Sequence, residues 1–182
     1  MPRTPSPPVC QRGLTLVELI ITMVLMGLLA TVGATMISDT FQTTRLVNAG
    51  QASADQARYA LERLSREIRE VKYISGGSNY AVTSSLSPAA TNMVFTRVIN
   101  GADVTVTINK SGTNLTLGYS SPAVTSVLAS QVSGFALNFL QLDNSAASSS
   151  ANLRFVVITL TVTDSVSGQT ISQQTRVALR NA

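Results

Sequence analysis

The sequence predicts an α+β protein: a long N-terminal helix, apolar in its first half and amphipathic in its second, packed on an antiparallel β-sheet domain. Three observations predict it. Leu14 to Ile37 is almost wholly apolar, with no Pro, Lys or Arg. Apolar residues then recur at alternating spacings of three and four as far as Val71, the period of one helix face. From Met93 onward the period changes to two, as strands require.

The 182 residues leave room for one modest globular domain beyond the apolar segment. The formal net charge is +4, and it falls to +2 once Arg3 and Arg12, which precede the apolar run, are set aside. That balance is no electrostatic argument for nucleic acid. Histidine is absent, which removes Ser-His-Asp and Cys-His catalytic arrangements and every His-containing zinc site. The single cysteine, Cys10, precedes the apolar run, so no disulfide is expected in the downstream domain.

Residues 1–13 hold four of the six prolines and two arginines, and read as a basic leader. The apolar run that follows would form a helix of about 36 Å, long enough to cross a bilayer core. Positive residues ahead of the run place the N-terminus in the cytoplasm and the bulk of the chain outside it. Within the run the one ionisable residue is Glu18. A charge inside such a span costs about 2.5–3.5 kcal/mol at mid-helix, less near an end, so it needs a functional reason. Three readings compete. A secretory signal peptide would be cut after Ala34, but its core would be long and interrupted by Glu18. A plain membrane anchor accounts for the length and leaves Glu18 unexplained. The third reading accounts for both.

That reading rests on Gly13-Leu14-Thr15-Leu16-Val17-Glu18, which resembles the cleavage and methylation signal of type IV prepilins and type II secretion pseudopilins. The resemblance implies that Gly13 is the last leader residue and that Leu14 becomes the first mature residue, N-methylated after cleavage. Glu18 then falls on the fifth mature position, where this superfamily carries its hallmark glutamate. Leu14 departs from the pattern, since phenylalanine is commoner there. In filaments of the superfamily the apolar helices bundle together. A buried carboxylate and a buried terminal amine offset each other's desolvation, so Glu18 is expected to pair with the Leu14 amine of a neighbouring subunit and to fix axial register. The implied partners are other pilin or pseudopilin subunits, the prepilin peptidase and the inner membrane.

The helix is expected to continue over residues 38–74. Val47, Gly50, Ala54, Ala57, Leu61, Leu64, Ile68 and Val71 form its apolar stripe. The other faces carry charges, with Glu62–Arg66, Arg63–Glu67 and Arg66–Glu70 at i,i+4 spacing. Ser75-Gly76-Gly77-Ser78-Asn79 would end it, the glycines supplying a C-terminal cap. Residues 75–92 read as a connecting loop with local structure around Tyr80 to Val82. Residues 93–182 read as the β domain. Asn100-Gly101 is a tight-turn signal between two alternating runs, and a third run ends at Tyr119, which together predict a three-stranded meander. A short apolar piece, Val124 to Ala129, leads to a second set. Phe135, Leu137 and Phe139 alternate, and a phase slip to Leu140 and Leu142 predicts a bulge there. Asn144 to Asn152 reads as a mobile loop, Val156 to Val162 as the most apolar strand, and Ile171 to Leu179 as the strand that closes the sheet.

Tyr59 to Arg69, late in the helix, is similar to the corresponding helix of J-type pseudopilins and of the W-type and mannose-sensitive-haemagglutinin O-type minor pilins. So is the order of Val132-Ser133-Gly134-Phe135, a Thr-rich apolar strand and a terminal Arg180-Asn181. These later matches are diffuse. They imply a low-abundance minor subunit near a filament tip that helps to initiate assembly.

Other chemistry finds little footing. Asp103, Asp143 and Asp164 are scattered, each beside an expected turn where Asp serves turn geometry alone, and no Asp-x-Asp spacing points to calcium. No enzyme activity, cofactor, metal, small-molecule substrate or nucleic acid is expected. Two rivals remain. One is a Sec-exported or membrane-anchored β domain that acts as an extracellular binding protein or adhesin. The weaker one is a DNA-uptake pilin using Arg97, Lys110, Arg154, Arg176 and Arg180 on the sheet side.

Overall fold

The computed structural model describes residues 15–77, 79–165 and 167–180. The chain divides into two compact units, Met1–Arg45 and Leu46–Ala182. Helix α1, Leu16–Arg69, supplies the described part of the first unit and opens the second.

In the first unit the side chains from Leu16 to Val32 are all exposed. Helix α1 is long and apolar enough to cross a membrane, and none of its most apolar stretch is buried in the chain. The threonines in this stretch turn their hydroxyls onto the helix's own backbone: Thr22 donates to the Leu19 carbonyl (2.9 Å), Thr31 to Leu28 (2.7 Å) and Thr35 to Val32 (2.8 Å). Their polar groups are therefore satisfied without water.

In the second unit the amphipathic part of α1 buries Ser53, Ala57, Ala60, Leu61, Leu64, Glu67 and Ile68. The expected stripe is present from Ala57 onward, whereas Val47 remains 52% exposed. The apolar residues among them share one core with the inner faces of two antiparallel sheets. The first sheet has four strands in chain order: β3 (Asn92–Ile99), β4 (Ala102–Ser111), β5 (Asn114–Ser120) and β6 (Ala123–Ala129). It contributes Met93, Phe95, Val106, Ile108, Leu115 and Leu117 to the core. The second has three: β7 (Val132–Leu140), β8 (Phe155–Thr163) and β9 (Thr170–Ala178). Its inner face presents Phe135, Leu137, Val156, Ile158, Leu160 and Val177. The fold is α+β, one long helix with antiparallel sheets, consistent with a pilin-like architecture.

Several expectations are corrected. The helix ends at Arg69, not Ile74. Its last turn tightens, with Glu70 N–H donating to Glu67 O and Val71 N–H to Ile68 O. The next residues are drawn onto the edge of β3: Val71 bridges Arg97, and Lys72 N–H donates to Thr96 O at 2.8 Å. Val71, Tyr73 and Ile74 are β-branched or aromatic, types that sit well on a pleated edge. A two-stranded hairpin follows, β1 (Tyr73–Ile74) with β2 (Asn79–Tyr80). Gly76 and Gly77 thus make its turn and not a helix cap; Ser78, between them and β2, lies outside the described residues. The expected three-stranded meander is present as β3, β4 and β5, but it is extended to four strands: the piece from Val124 to Ala129 pairs with β5 as part of β6 and does not lead away to a second set. No bulge falls at Phe139–Leu140. The register shifts at Leu115/Thr116 and at Val132/Gly134 instead, and Leu142 stands 76% exposed beyond the strand. The Asn144–Asn152 segment is folded back on the sheet, with Ala147 N–H on Phe139 O at 2.9 Å and Ala147 itself buried. The Asn100-Gly101 turn is as expected, both residues at positive φ (51° and 79°).

Candidate functional site

Among the sequence-derived site residues, Gly13 and Leu14 lie outside the described residues. Glu18 stands in the first turn of α1. The sequence begins the helix here for a local reason. Thr15 carries the N-cap role: its carbonyl accepts from Leu19 N–H (3.1 Å) and its hydroxyl from Glu18 N–H (3.3 Å). Thr15 and Glu18 therefore hold the two positions of a Thr-x-x-Glu capping box, and the acid also suits the positive end of the helix dipole. The Glu18 side chain is exposed, and no cation pairs with it among the described residues. It is ringed by exposed apolar groups, Leu16 (76%), Val17 (63%) and Ile21 (53%) among them. Soluble monomers rarely leave a contiguous apolar surface of this kind uncovered. Bilayer or neighbouring helices would cover it, and in either setting an unpaired carboxylate is costly.

The second unit holds a polar cluster that the sequence did not reveal. Glu67 is only 1% exposed, although its spacing placed it on a solvated face. Its Oε1 accepts from the Tyr119 hydroxyl of β5 at 2.8 Å and pairs with Arg63 Nη2 at 3.0 Å. Its Oε2 is held by Arg97 Nη1 of β3. Arg63 also donates to the Tyr119 oxygen (2.8 Å), and Arg97 Nη2 reaches Glu70 at 2.6 Å. Burial, followed by the hydrogen bond to Glu67, pushes the Tyr119 phenol above its ordinary range. Nothing in this cluster resembles a reactive centre. Both carboxylate oxygens are occupied, and the one adjoining hydroxyl, that of Tyr119, is itself bonded to Glu67 and Arg63. It fixes how α1 lies on the first sheet.

The three aspartates do not converge. Asp103 stands beside the Asn100-Gly101 turn as expected, but its carboxylate does not serve the turn: the residue lies on β4 and pairs with Lys72 at 2.6 Å. Asp143 accepts from Ser145 Oγ (2.7 Å) and Ser145 N–H (3.0 Å), bonds that hold its carboxyl below the usual range. Asp164 accepts from the Ser167 hydroxyl and amide. Asp143 and Asp164 thus serve local turns.

The geometry therefore singles out the apolar segment, with its capped start and its one exposed carboxylate. No curated protein matches the chain. Residues 9–34, which include Gly13, Leu14 and Glu18, match the prokaryotic N-terminal methylation motif, a type IV prepilin-like signal.

Proposed function

We propose that the protein is a minor pilin or pseudopilin, a structural subunit of a type IV pilus or of a type II secretion pseudopilus. The observation that carries this reading is the coincidence of the methylation motif at residues 9–34 with an α1 window that is apolar enough to span a bilayer and wholly unburied. The motif and the helix fit a membrane-anchored, single-pass protein. In this reading the chain sits in the inner membrane with its N-terminus cytoplasmic, and prepilin peptidase cuts after Gly13. Leu14 is then methylated, and Glu18 pairs with the Leu14 amine of an adjacent subunit as α1 enters the filament bundle. The diffuse likeness of the later helix to minor subunits favours a place in the tip or initiation complex. The domain divisions expected from the sequence belong to the same proposal: a leader at 1–13, a membrane or filament-core segment at 14–37, and a β domain that lies outside the inner membrane.

Intact mass measured on protein from native membranes tests it. A species starting at Leu14 with one added methyl group supports the reading. A species starting at Thr35 means an ordinary signal peptide and overturns it. An uncut chain, in a host with working prepilin peptidase, leaves only a membrane anchor.

A further inference from the structure

At the end of α1, Glu62, Ser65, Arg66, Arg69, Glu70 and Arg180 line a groove of about 480 Å³. Arg66 and Arg69 come from the last turns of the helix. Arg180 arrives from the far end of the chain, beyond β9, and its amide donates to the Arg69 carbonyl at 3.4 Å. All three arginines are exposed, and among the described residues none is in an ion pair.

Two of the surrounding acids are otherwise engaged. Glu70 is held by Arg97, and Glu67 is buried under Arg63 and Arg97. Glu62 stands four residues before Arg66 without pairing to it. Helix-dipole compensation would account for basic residues in the last turn. It does not account for Arg180, which belongs to another segment.

We infer that this groove binds the carboxylates of an acidic segment on a partner protein. Guanidinium forks match carboxylates bidentately and lose little freedom in doing so. Two glutamates in the same lining disfavour a polyphosphate. Duplex nucleic acid is disfavoured too, because its binding relies on many phosphate contacts along a basic track. Carboxylates on a flexible peptide, each taken by one guanidinium fork, suit this lining. The inference stands on the second unit alone. It goes beyond the filament reading and does not depend on where the chain is processed.

The test uses the detergent-solubilised full chain and a fluorescein-labelled oligoglutamate peptide, with duplex DNA and inorganic phosphate as competing probes. The expected result is salt-sensitive binding of oligoglutamate that weakens about tenfold or more in the Arg66→Gln, Arg69→Gln, Arg180→Gln triple variant. Lys110→Gln, away from the groove, should leave binding unchanged. A triple Arg→Lys variant, which keeps the charge and loses the fork, should fall between the two and remains informative if the Gln variant fails to fold. Undetectable oligoglutamate binding overturns the inference. So does equal binding by wild type and both triple variants, or tighter binding of DNA or phosphate than of the peptide.

Discussion

Tyr119 donates its phenolic hydrogen to Glu67 Oε1 across 2.8 Å and so ties strand β5 to helix α1. The same carboxylate receives Arg63 from one helical turn earlier and Arg97 from β3. A buried acid with all these partners is satisfied, and deleting it takes from Arg63 and Arg97 the carboxylate they share at the helix–sheet contact, leaving Arg97 with Glu70 and Arg63 with Tyr119. Glu67→Ala is therefore expected to cost about 3 kcal/mol, the low end for breaking a buried pair because Arg63 retains access to water. Glu67→Gln should cost less, since an amide keeps an acceptor for Tyr119. Urea unfolding of the two variants checks the order, and equal losses would contradict the charge-based account.

The Tyr119 phenol provides a pH signature for the same contact. Burial and the bond to Glu67 raise its pKa, so the folded protein holds this proton more tightly than the unfolded chain does. The resulting contribution is complete below the unfolded phenol's value of about 10 and is lost as pH rises from there through the folded value. Tyr119→Phe should lower stability near neutrality and also flatten the alkaline decline. Melting temperatures of both proteins, followed from about pH 9 to pH 11, decide it. An unchanged alkaline slope would assign that decline to other groups.

The two units should respond differently to the same truncation. Leu64 is fully buried in the core shared by α1 and both sheets, while Leu28 is 62% exposed in the chain. Leu64→Ala is expected to destabilise the second unit by about 2–5 kcal/mol through lost transfer energy and the cavity left behind. Leu28→Ala should leave that unit's unfolding midpoint unchanged in detergent and act only where α1 meets lipid or other helices. A shift of similar size in both variants would refute this division.

The legible parts of this fold were those in which a local pattern determines the outcome. The helical stripe from Ala57 to Ile68, the Asn100-Gly101 turn and the alternation through Val156 to Val162 each follow from residues close in sequence. What stayed hidden depends on distant partners. Glu67 looked solvated because Arg63 and Glu70 flank it on the helix; only Arg97 and Tyr119, thirty and more residues away, bury it. The helix end is hidden in the sequence for a related reason. Nothing between Glu70 and Ile74 breaks a helix, and the backbone leaves it because β3 offers an edge to pair with. The start of α1 is legible from its apolar run, whereas the Thr15 cap shares its Thr-x-x-Glu spacing with the charge at Glu18 and is told apart only by the bonds that Thr15 accepts.

Glu18 carries the remaining prediction, and its capping role sets a control. Thr15 contributes its own hydroxyl and carbonyl to the helix start, so Glu18→Ala should leave α1 formed and cleavage after Gly13 intact. Loss of the carboxylate should instead reduce incorporation, because a neighbour's terminal amine would then be buried without its counter-charge. Glu18→Gln separates charge from shape and should fail nearly as badly as Ala, whereas Thr15→Ala, which removes only the cap, should incorporate close to normally. The measurement is the fraction of processed subunit recovered in sheared filaments relative to membranes, by quantitative immunoblot in the native host. Normal incorporation of Glu18→Ala would end the pairing argument. Parallel losses in Thr15→Ala and Glu18→Ala would mean that the glutamate serves the helix start and not the neighbouring subunit.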